Sequence, residues 1–85
     1  MEEITVLMST YNGEKYILEQ LKSIEKQENV FINLFIRDDG STDNTVQIIK
    51  EYKTERMNIE LICGKNVGVR ESFIWLIKNC PYKTE

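Results

Sequence analysis

Short apolar runs alternate with segments of helical periodicity, and this alternation constrains the fold of the 85-residue chain more than any other feature. The runs are rich in β-branched and aromatic residues and predict strands. They are Ile4–Met8, Phe31–Ile36 and Asn58–Cys63. Elsewhere apolar residues recur at helical spacing, which predicts helices over about residues 13–26 and 44–54 and a third helix that ends at Pro81.

The order of these elements is β-α-β-α-β-α, with short loops between them. This order predicts an α/β fold, in which a three-stranded parallel sheet with right-handed crossovers has helices packed on it. The first strand is almost entirely apolar, which predicts that it is buried on both faces. In the third helix we expect Phe73, Leu76, Ile77 and Cys80 to line the packed face.

Composition excludes several classes of function. A net charge of −3 argues against a nucleic-acid partner, and the absence of histidine removes histidine-based nucleophilic catalysis and imidazole metal sites. Cys63 and Cys80 are not in a C-x-x-C arrangement, which indicates reduced, buried thiols and a cytoplasmic protein. Neither a signal peptide nor an apolar stretch of about 18 residues, as a membrane span requires, is recognisable.

Polar residues gather where each predicted strand ends. The clusters are Ser9–Asn12, Asp38–Gly40 and Gly64–Arg70. In parallel sheets ligands bind outside the carboxyl ends of the strands, so we expect these clusters to form one site. Neither the P-loop pattern nor G-x-G-x-x-G occurs, which disfavours P-loop and dinucleotide-binding folds.

The adjacent carboxylates Asp38 and Asp39 repel one another unless donors, a cation or solvent surround them. In one interpretation Asp38 accepts backbone N–H bonds from its turn, while Asp39 or Asp43 begins the second helix. In the other, one carboxylate accepts the ring N–H of a nucleobase, which distinguishes uracil, thymine or guanine from adenine. The residues alone leave both interpretations open.

The other clusters also have two interpretations each. The Tyr11 ring either stacks on a base or covers the core. Ser9 and Asn12 offer polar groups to a ligand, although Asn12 is better suited to capping the first helix. Arg70 either reaches a phosphate or base through charge-assisted bonds or is a solvated surface charge.

A T-Y-N turn at Thr10–Asn12, a D-D-G-S-T-D turn at Asp38–Asp43 and an N-x-G loop at Asn66–Gly68 follow one another along the chain. In this order and spacing they resemble the N-terminal half of family 2 glycosyltransferases, above all bacterial rhamnosyl- and galactosyltransferases of surface polysaccharide synthesis. The resemblance implies an A-type glycosyltransferase fold. Residues 1–85 would be its nucleotide-sugar-binding N-terminal portion, without the D-x-D motif or the acceptor half.

The same resemblance implies roles for individual residues. Ser9 and Tyr11 would contact the base and ribose, Asp39 would accept the base N–H, and Asp38 would support that turn. Arg70 would neighbour the nucleotide. The expected nucleotide-binding set is Ser9, Tyr11, Asn12, Asp38, Asp39 and Arg70.

A further implication of the resemblance is the reaction. The donor would be a nucleoside-diphosphate sugar, with a UDP- or TDP-sugar expected, and the sugar would be transferred with inversion to a hydroxyl of a saccharide or lipid-linked acceptor. Mg²⁺ or Mn²⁺ is expected in the complete enzyme, with its ligands and the catalytic base outside this chain, which we expect to be inactive alone. The protein would be cytoplasmic, with peripheral association at the inner face of the membrane as an open alternative.

Two other classes of protein fit the sequence less well. A receiver-like signalling domain also has a carboxylate pair at a strand end, but it needs a further Asp where this third strand ends in Cys63-Gly64. A non-catalytic interaction module would use an open strand edge. If the strand order of the family holds, Ile4–Met8 is such an edge, which predicts a homodimer or aggregation through the first strand.

Overall fold

A computed structural model describes residues 2–81 and contains alternating strands and helices. The elements are β1 (Glu2–Thr10), α1 (Ile17–Glu25), β2 (Val30–Asp38), α2 (Thr45–Glu51), β3 (Met57–Cys63) and α3 (Val69–Asn79). The strands form one parallel sheet in the order β1-β2-β3. This confirms the predicted α/β fold with its β-α-β-α-β-α order, and it places β1 at an edge.

One face of the sheet is packed against α1 and α2, and we call it the apolar face. Side chains of a strand alternate between faces, and Ile32, Leu34 and Ile36 of β2 all point to this one. They join Ile17 and Leu21 of α1 in a buried cluster. Each such side chain stabilises the fold by about 1.5–3 kcal/mol when it is fully removed from water.

The other face is covered by α3, and we call it the polar face. Phe35 of β2 stacks on Trp75 of α3, with ring centroids 6.1 Å apart. The next side chain of β2 on this face is Arg37, which is buried although it is charged. Ser72 of α3 is also fully buried. Hydrogen-bonding residues are therefore part of the packing between α3 and the sheet.

Several predicted details of the elements are wrong. β1 is half-buried rather than buried on both faces, because it has a strand neighbour on one side only in the described sheet. In α3 the buried residues are Ser72 and Leu76, whereas Phe73 is 40% and Ile77 is 65% exposed. The helix turns Ser72 toward the sheet because the buried Arg37 needs a hydrogen-bond acceptor there.

The first two helices are shorter than the spacing of apolar residues predicts. Residues 13–16 form a turn instead, in which the carbonyl of Gly13 accepts the N–H groups of Tyr16 and Ile17 at 2.9 and 2.8 Å. α2 ends at Glu51, and Tyr52 is already extended. Cys63 is exposed and Cys80 is partly buried, so the predicted burial of both thiols is wrong. Within residues 2–81, no helix has the length and apolar character of a membrane span.

Candidate functional site

All three strands end at one level of the sheet. Thr10 of β1 pairs with Asp38 of β2, and Asp38 pairs with Cys63 of β3. The loops that follow, residues 11–16, 39–44 and 64–68, therefore lie side by side. We call this end of the sheet, with its loops, the carboxyl edge. The polar clusters of the sequence all belong to it.

Asp38 organises the turn after β2. Its Oδ1 accepts the hydroxyl groups of Thr10 at 2.8 Å and Ser41 at 2.6 Å, and its Oδ2 accepts the Ser41 N–H at 2.8 Å. The side chain is 1% exposed, so these bonds replace the water that an ionised carboxylate would otherwise bind. Gly40 completes the turn with a φ of 77°, a conformation that glycine adopts without strain.

Asn12 joins the loops after β1 and β2 and does not cap α1. Its N–H donates to Ser41 Oγ, and its Oδ1 accepts the Thr42 N–H, both at 2.8 Å. These bonds hold Asn12 in the left-handed region, at a φ of 47°, and the N-cap of α1 is Tyr16. The predicted capping role of Asn12 is therefore wrong, because partners distant in sequence use its polar groups.

Asp43 accepts a hydrogen bond from the first turn of the second helix, but the N-cap of that helix is Asn44, not Asp39 or Asp43 as one interpretation of the acidic cluster predicts. Its Oδ1 accepts the N–H of Thr45 at 2.9 Å, and its Oδ2 accepts the N–H of Glu14 at 3.2 Å. Burial raises the pKa of Asp43, but the hydrogen bonds from Thr45 and Glu14 outweigh burial, and the net shift of the pKa is downward. Asp43 thus fixes both the start of α2 and the loop after β1.

Asp39 points to the polar face and holds the loop after β3. Its Oδ1 accepts Arg37 Nη1 and the Val67 N–H, both at 2.8 Å. Its Oδ2 accepts the Gly68 N–H at 3.0 Å and Asn66 Nδ2 at 3.3 Å. The residue is 2% exposed. Burial raises the pKa of the Asp39 carboxyl, but the hydrogen bonds from Val67, Arg37 and Gly68 outweigh burial and lower it. Asp39 is therefore an ionised acceptor inside the protein.

Arg37 lies at the centre of this arrangement, although nothing in the sequence motifs singles it out. Nη1 donates to Asp39 Oδ1 at 2.8 Å and to Ser72 Oγ at 3.1 Å, and Nη2 donates to the Lys65 carbonyl at 3.0 Å. The guanidinium carbon lies 5.8 Å from the centroid of the Trp75 ring. A basic residue two positions before an acidic one in a strand shares its face, and this spacing is the signal that identifies the pair.

The remaining predicted residues lie around this network. Ser9 donates its hydroxyl hydrogen to Ser72 Oγ at 2.8 Å, so Ser9, Ser72, Arg37 and Asp39 form a continuous chain of hydrogen bonds. Tyr11 is 53% exposed and, with Ser9, borders a cavity of 190 Å³. Arg70 is exposed in the first turn of α3. The structure thus links Ser9 to Asp39 through Ser72 and Arg37 and leaves Tyr11 and Arg70 accessible.

A second, larger cavity of 310 Å³ opens between α3 and the loop after β3. Its lining residues are Arg37, Val67, Glu71, Ile74, Trp75, Lys78 and Asn79. The ring of Trp75 is held by Phe35 on the sheet.

Neither cavity offers a metal site among the described residues. No group of three acidic, cysteine or histidine residues lies close enough within residues 2–81 to hold a metal ion. The oxygens of Asp38 and Asp39 already accept hydrogen bonds from the chain itself. These residues therefore do not fit a Mg²⁺ or Mn²⁺ centre, and the expected metal of a complete enzyme stays a prediction about residues outside this set.

Comparison with known sequences identifies what the chain is similar to. The model of the family "Glycosyl transferase family 2" matches residues 5–82. A dTDP-rhamnosyl transferase, RfbG of Shigella flexneri, is 47% identical over 75 residues, which are 85% of this chain and 26% of that protein. The poly(ribitol-phosphate) β-N-acetylglucosaminyltransferase TarS of Staphylococcus aureus is 38% identical over 63 residues, 72% of this chain and 11% of TarS.

More distant similarity extends along a still larger part of the chain. Chondroitin synthase of Escherichia coli is 29% identical over 77 residues, which are 91% of this chain and 11% of the synthase. The chain therefore spans about a quarter or less of the length of these relatives. No solved structure gives a significant match.

Proposed function

The chain belongs to glycosyl transferase family 2, and from this membership we propose that residues 1–85 are the nucleotide-binding portion of a sugar-transferring enzyme. The enzyme would use a nucleoside-diphosphate sugar and act in the synthesis of a bacterial surface polysaccharide. The observation that carries the proposal is the family match over residues 5–82, which includes every loop of the carboxyl edge. The printed activity of RfbG makes a TDP-sugar the first donor to test, with a UDP-sugar next.

Asp39 is the proposed reader of the base. Its pKa is lowered, so it is an acceptor at neutral pH, and a ring N–H of thymine, uracil or guanine is the matching donor. The carboxylate is buried, so the base must replace an existing donor. The longest of its contacts is the 3.3 Å bond from Asn66 Nδ2 to Oδ2. We therefore propose that the base N–H takes the place of the Asn66 side chain.

The other members of the set have groups available for the rest of the nucleotide. The exposed Tyr11 ring is suited to stacking on the base. The Ser9 hydroxyl donates its hydrogen to Ser72 and keeps lone pairs that can accept from a ribose hydroxyl. Asn12 uses its N–H and amide oxygen in the loop and keeps its amide NH₂, and Arg70 offers an exposed guanidinium to phosphate.

The transfer itself requires groups beyond this set. In the proposed inverting reaction a general base takes the proton of an acceptor hydroxyl, which attacks the anomeric carbon and displaces the nucleoside diphosphate. We assign neither the general base nor a metal ligand to these residues. We expect the 85-residue chain to bind nucleotide without transferring sugar. A saccharide or lipid-linked acceptor and a cytoplasmic location, free or at the inner face of the membrane, belong to the same proposal.

Amide NMR titration of the chain with TDP, UDP and GDP, with and without Mn²⁺, tests the proposal. We expect saturable shifts at Tyr11, Asp39 and Arg70 with one of these nucleotides, and loss of the Asn66 side-chain signal from its free position. ADP is the control, because adenine lacks a ring N–H on the edge that would face Asp39. A dispersed spectrum that no nucleotide changes at millimolar concentration would contradict nucleotide binding by this portion.

A matched pair of tyrosine variants sharpens the same experiment. Tyr11→Ala removes the proposed stacking partner, and Tyr16→Ala removes a tyrosine of the same loop that is 64% exposed and lies outside the proposed set. Stacking of one base on an aromatic ring contributes about 1–3 kcal/mol, so Tyr11→Ala should weaken nucleotide binding by about fivefold or more. Equal weakening by both variants would contradict the assigned role of Tyr11.

A further inference from the structure

Arg37 connects the parts of the carboxyl edge that carry the proposed nucleotide contacts. Through Nη1 it contacts Asp39 at the end of β2 and Ser72, which in turn accepts the hydroxyl of Ser9 at the end of β1. Through Nη2 it contacts the carbonyl of Lys65 in the loop after β3. One guanidinium group therefore links the ends of all three strands.

The position of Arg37 is fixed by the space that the chain leaves for it. A Cβ atom added at Gly64 would lie 2.2 Å from Nη2 and 2.7 Å from Cζ of Arg37. The ring of Trp75 lies on the guanidinium group as well, 5.8 Å from Cζ to centroid. Gly64 does not need its flexibility for a left-handed backbone conformation, since its φ is not positive. Its missing side chain is what admits Arg37.

The pairing with Arg37 also determines which part of Asp39 is available. Arg37 and the Val67 N–H occupy Oδ1 at 2.8 Å each, while the contacts of Oδ2 with Gly68 and Asn66 are longer, at 3.0 and 3.3 Å. Both partners of the ion pair are buried, with 7% and 3% of their side chains exposed. The carboxylate is therefore held by its Oδ1 side and exchanges partners most readily at Oδ2.

We propose that Arg37 is a positioning residue for nucleotide recognition, and that Gly64 is the residue that makes its position possible. Arg37 does not touch the nucleotide. It acts through Asp39, whose carboxylate it holds ionised with Oδ2 available to the base, and through Ser72, which orients Ser9. This inference rests on the proposed function and adds two residues to the proposed site.

Gly64→Ala is the first test, because it displaces the guanidinium group while both charges of the pair stay in the chain. We expect binding of TDP or UDP to weaken by about tenfold or more and the pKa of the Asp39 carboxyl, followed by carboxyl NMR, to rise toward its ordinary value. The control is Gly13→Ala at the same edge, where an added Cβ meets no atom within 4 Å. It should change neither quantity.

Two substitutions of Arg37 separate its charge from its geometry. Arg37→Lys keeps the charge but cannot reach Asp39, Ser72 and Lys65 together, so nucleotide binding should weaken while Asp39 still titrates low. Arg37→Met removes the cation that opposes the effect of burial on Asp39, so the pKa of the Asp39 carboxyl should rise. As the pH is lowered, nucleotide affinity should therefore begin to fall at a higher pH in this variant than in the unchanged chain. A purely structural role would give no such difference in pH dependence.

The outcomes distinguish the inference from the proposed function. If the unchanged chain binds none of the nucleotides, the proposed function is contradicted, and the link between Arg37 and nucleotide recognition is contradicted with it. If the unchanged chain binds and Gly64→Ala binds equally well with an unaltered Asp39 titration, only the inference is overturned. Weaker binding and a raised Asp39 pKa in Gly64→Ala, with neither change in Gly13→Ala, support it.

Discussion

The two faces of the sheet differ in what holds a helix against them. On the apolar face α1 and α2 pack through aliphatic side chains such as Leu21 and Leu34, both fully buried. On the polar face α3 packs through one buried leucine, Leu76, through one aromatic pair and through the buried bonds of Arg37 and Ser72. Aliphatic burial stabilises a fold in proportion to area, whereas a buried ion pair contributes little net stability because both charges lose water.

This difference indicates that stability and recognition are assigned to opposite sides of one sheet. We expect the apolar face to provide most of the free energy of folding, because the buried aliphatic cluster lies there. The polar face uses a costly buried charge to fix Asp39 and Ser9, whose side chains carry the proposed contacts. The adjacent acids follow this division as well, since Asp38 binds Thr10 and Ser41 whereas Asp39, just after β2, binds Arg37 on the polar face.

Leu34→Ala is the variant with the largest expected effect, and it tests the assignment of stability to the apolar face. Leu34 is fully buried in the central strand, and a buried Leu→Ala change costs about 2–5 kcal/mol through lost burial and a cavity. That is a large part of the stability of a small domain. The control, Ile4→Ala, removes an aliphatic group that is 41% exposed on the edge strand. Ile4 pairs with Ile32 and lies on the same face, so the two variants compare an exposed with a buried position of that face. Equal losses in urea unfolding would contradict a dominant contribution from its buried side chains.

Asp38→Asn should have the next largest effect, because it changes a buried carboxylate at the edge of the apolar face. Both oxygens of Asp38 accept hydrogen bonds. An amide NH₂ in the place of Oδ2 would face the Ser41 N–H, and one in the place of Oδ1 would require the hydroxyl groups of Thr10 and Ser41 to turn from donors into acceptors. The expected loss is about 1–3 kcal/mol in the free energy of unfolding. Glu14→Gln makes the same chemical change at an exposed carboxylate that accepts the Asn44 N–H, and it should cost little. A negligible loss in Asp38→Asn would show that the turn does not depend on it.

The alternating fold and the carboxyl edge were predictable because they follow from local patterns. The apolar run of β2 and the turn at Asp38–Ser41 can each be predicted from residues that lie within a few positions of one another in the chain. Family membership was likewise evident from motifs and their spacing, and the comparisons confirm it. The roles of the six predicted site residues remain predictions.

What the sequence did not reveal depends on partners that are far apart along the chain. Ser72 accepts a hydrogen bond from Arg37 at a separation of 35 residues, and no local pattern indicates that pair. Helical spacing favoured Ile77 over Ser72 for the packed face of α3, because spacing cannot register a buried cation on the sheet. Asn12 was misassigned as a helix cap for the same reason, since its partners lie in the loop after β2.

Tyr52, on the side of the apolar face, should contribute a smaller amount to the free energy of unfolding. That contribution should change at alkaline pH. Tyr52 follows α2 and donates its hydroxyl to Glu25 of α1. Burial and this bond to Glu25 raise the pKa of Tyr52 to about 12. Because the folded chain holds the proton more tightly than the unfolded chain, this stabilisation is complete below the ordinary tyrosine pKa of 10.0 and is lost as the pH rises toward about 12.

Tyr52→Phe tests this dependence. At neutral pH the variant should be less stable than the unchanged chain by about 0.5–1.5 kcal/mol, the contribution of a single hydrogen bond. As the pH is raised toward 12, the stability of the variant should fall less than that of the unchanged chain. Unfolding by urea at a series of pH values measures both effects. Parallel stability curves for the two chains would contradict a role for the Tyr52 proton.

Ile4→Lys should change stability least and self-association most. The open edge of β1 predicts pairing with a second copy, and a lysine on an edge strand opposes such pairing. Ile4 is 41% exposed, so we expect a stability change of about 0.5 kcal/mol or less. Sedimentation at high concentration should detect dimers or larger species of the unchanged chain and a monomer of the variant. A monomeric unchanged chain would contradict the prediction.

A matched substitution on α3 decides which exposed surface is responsible for any association. Ile77 is 65% exposed, and with Val69 and Phe73 it forms an apolar stripe on the outer side of α3, at a spacing of one helical turn. Ile77→Lys should leave association unchanged if copies pair through β1, because strand pairing depends on backbone groups of the edge. If Ile77→Lys alone gives a monomer, the polar face is instead the side that associates, through the helix that holds Arg37 in place.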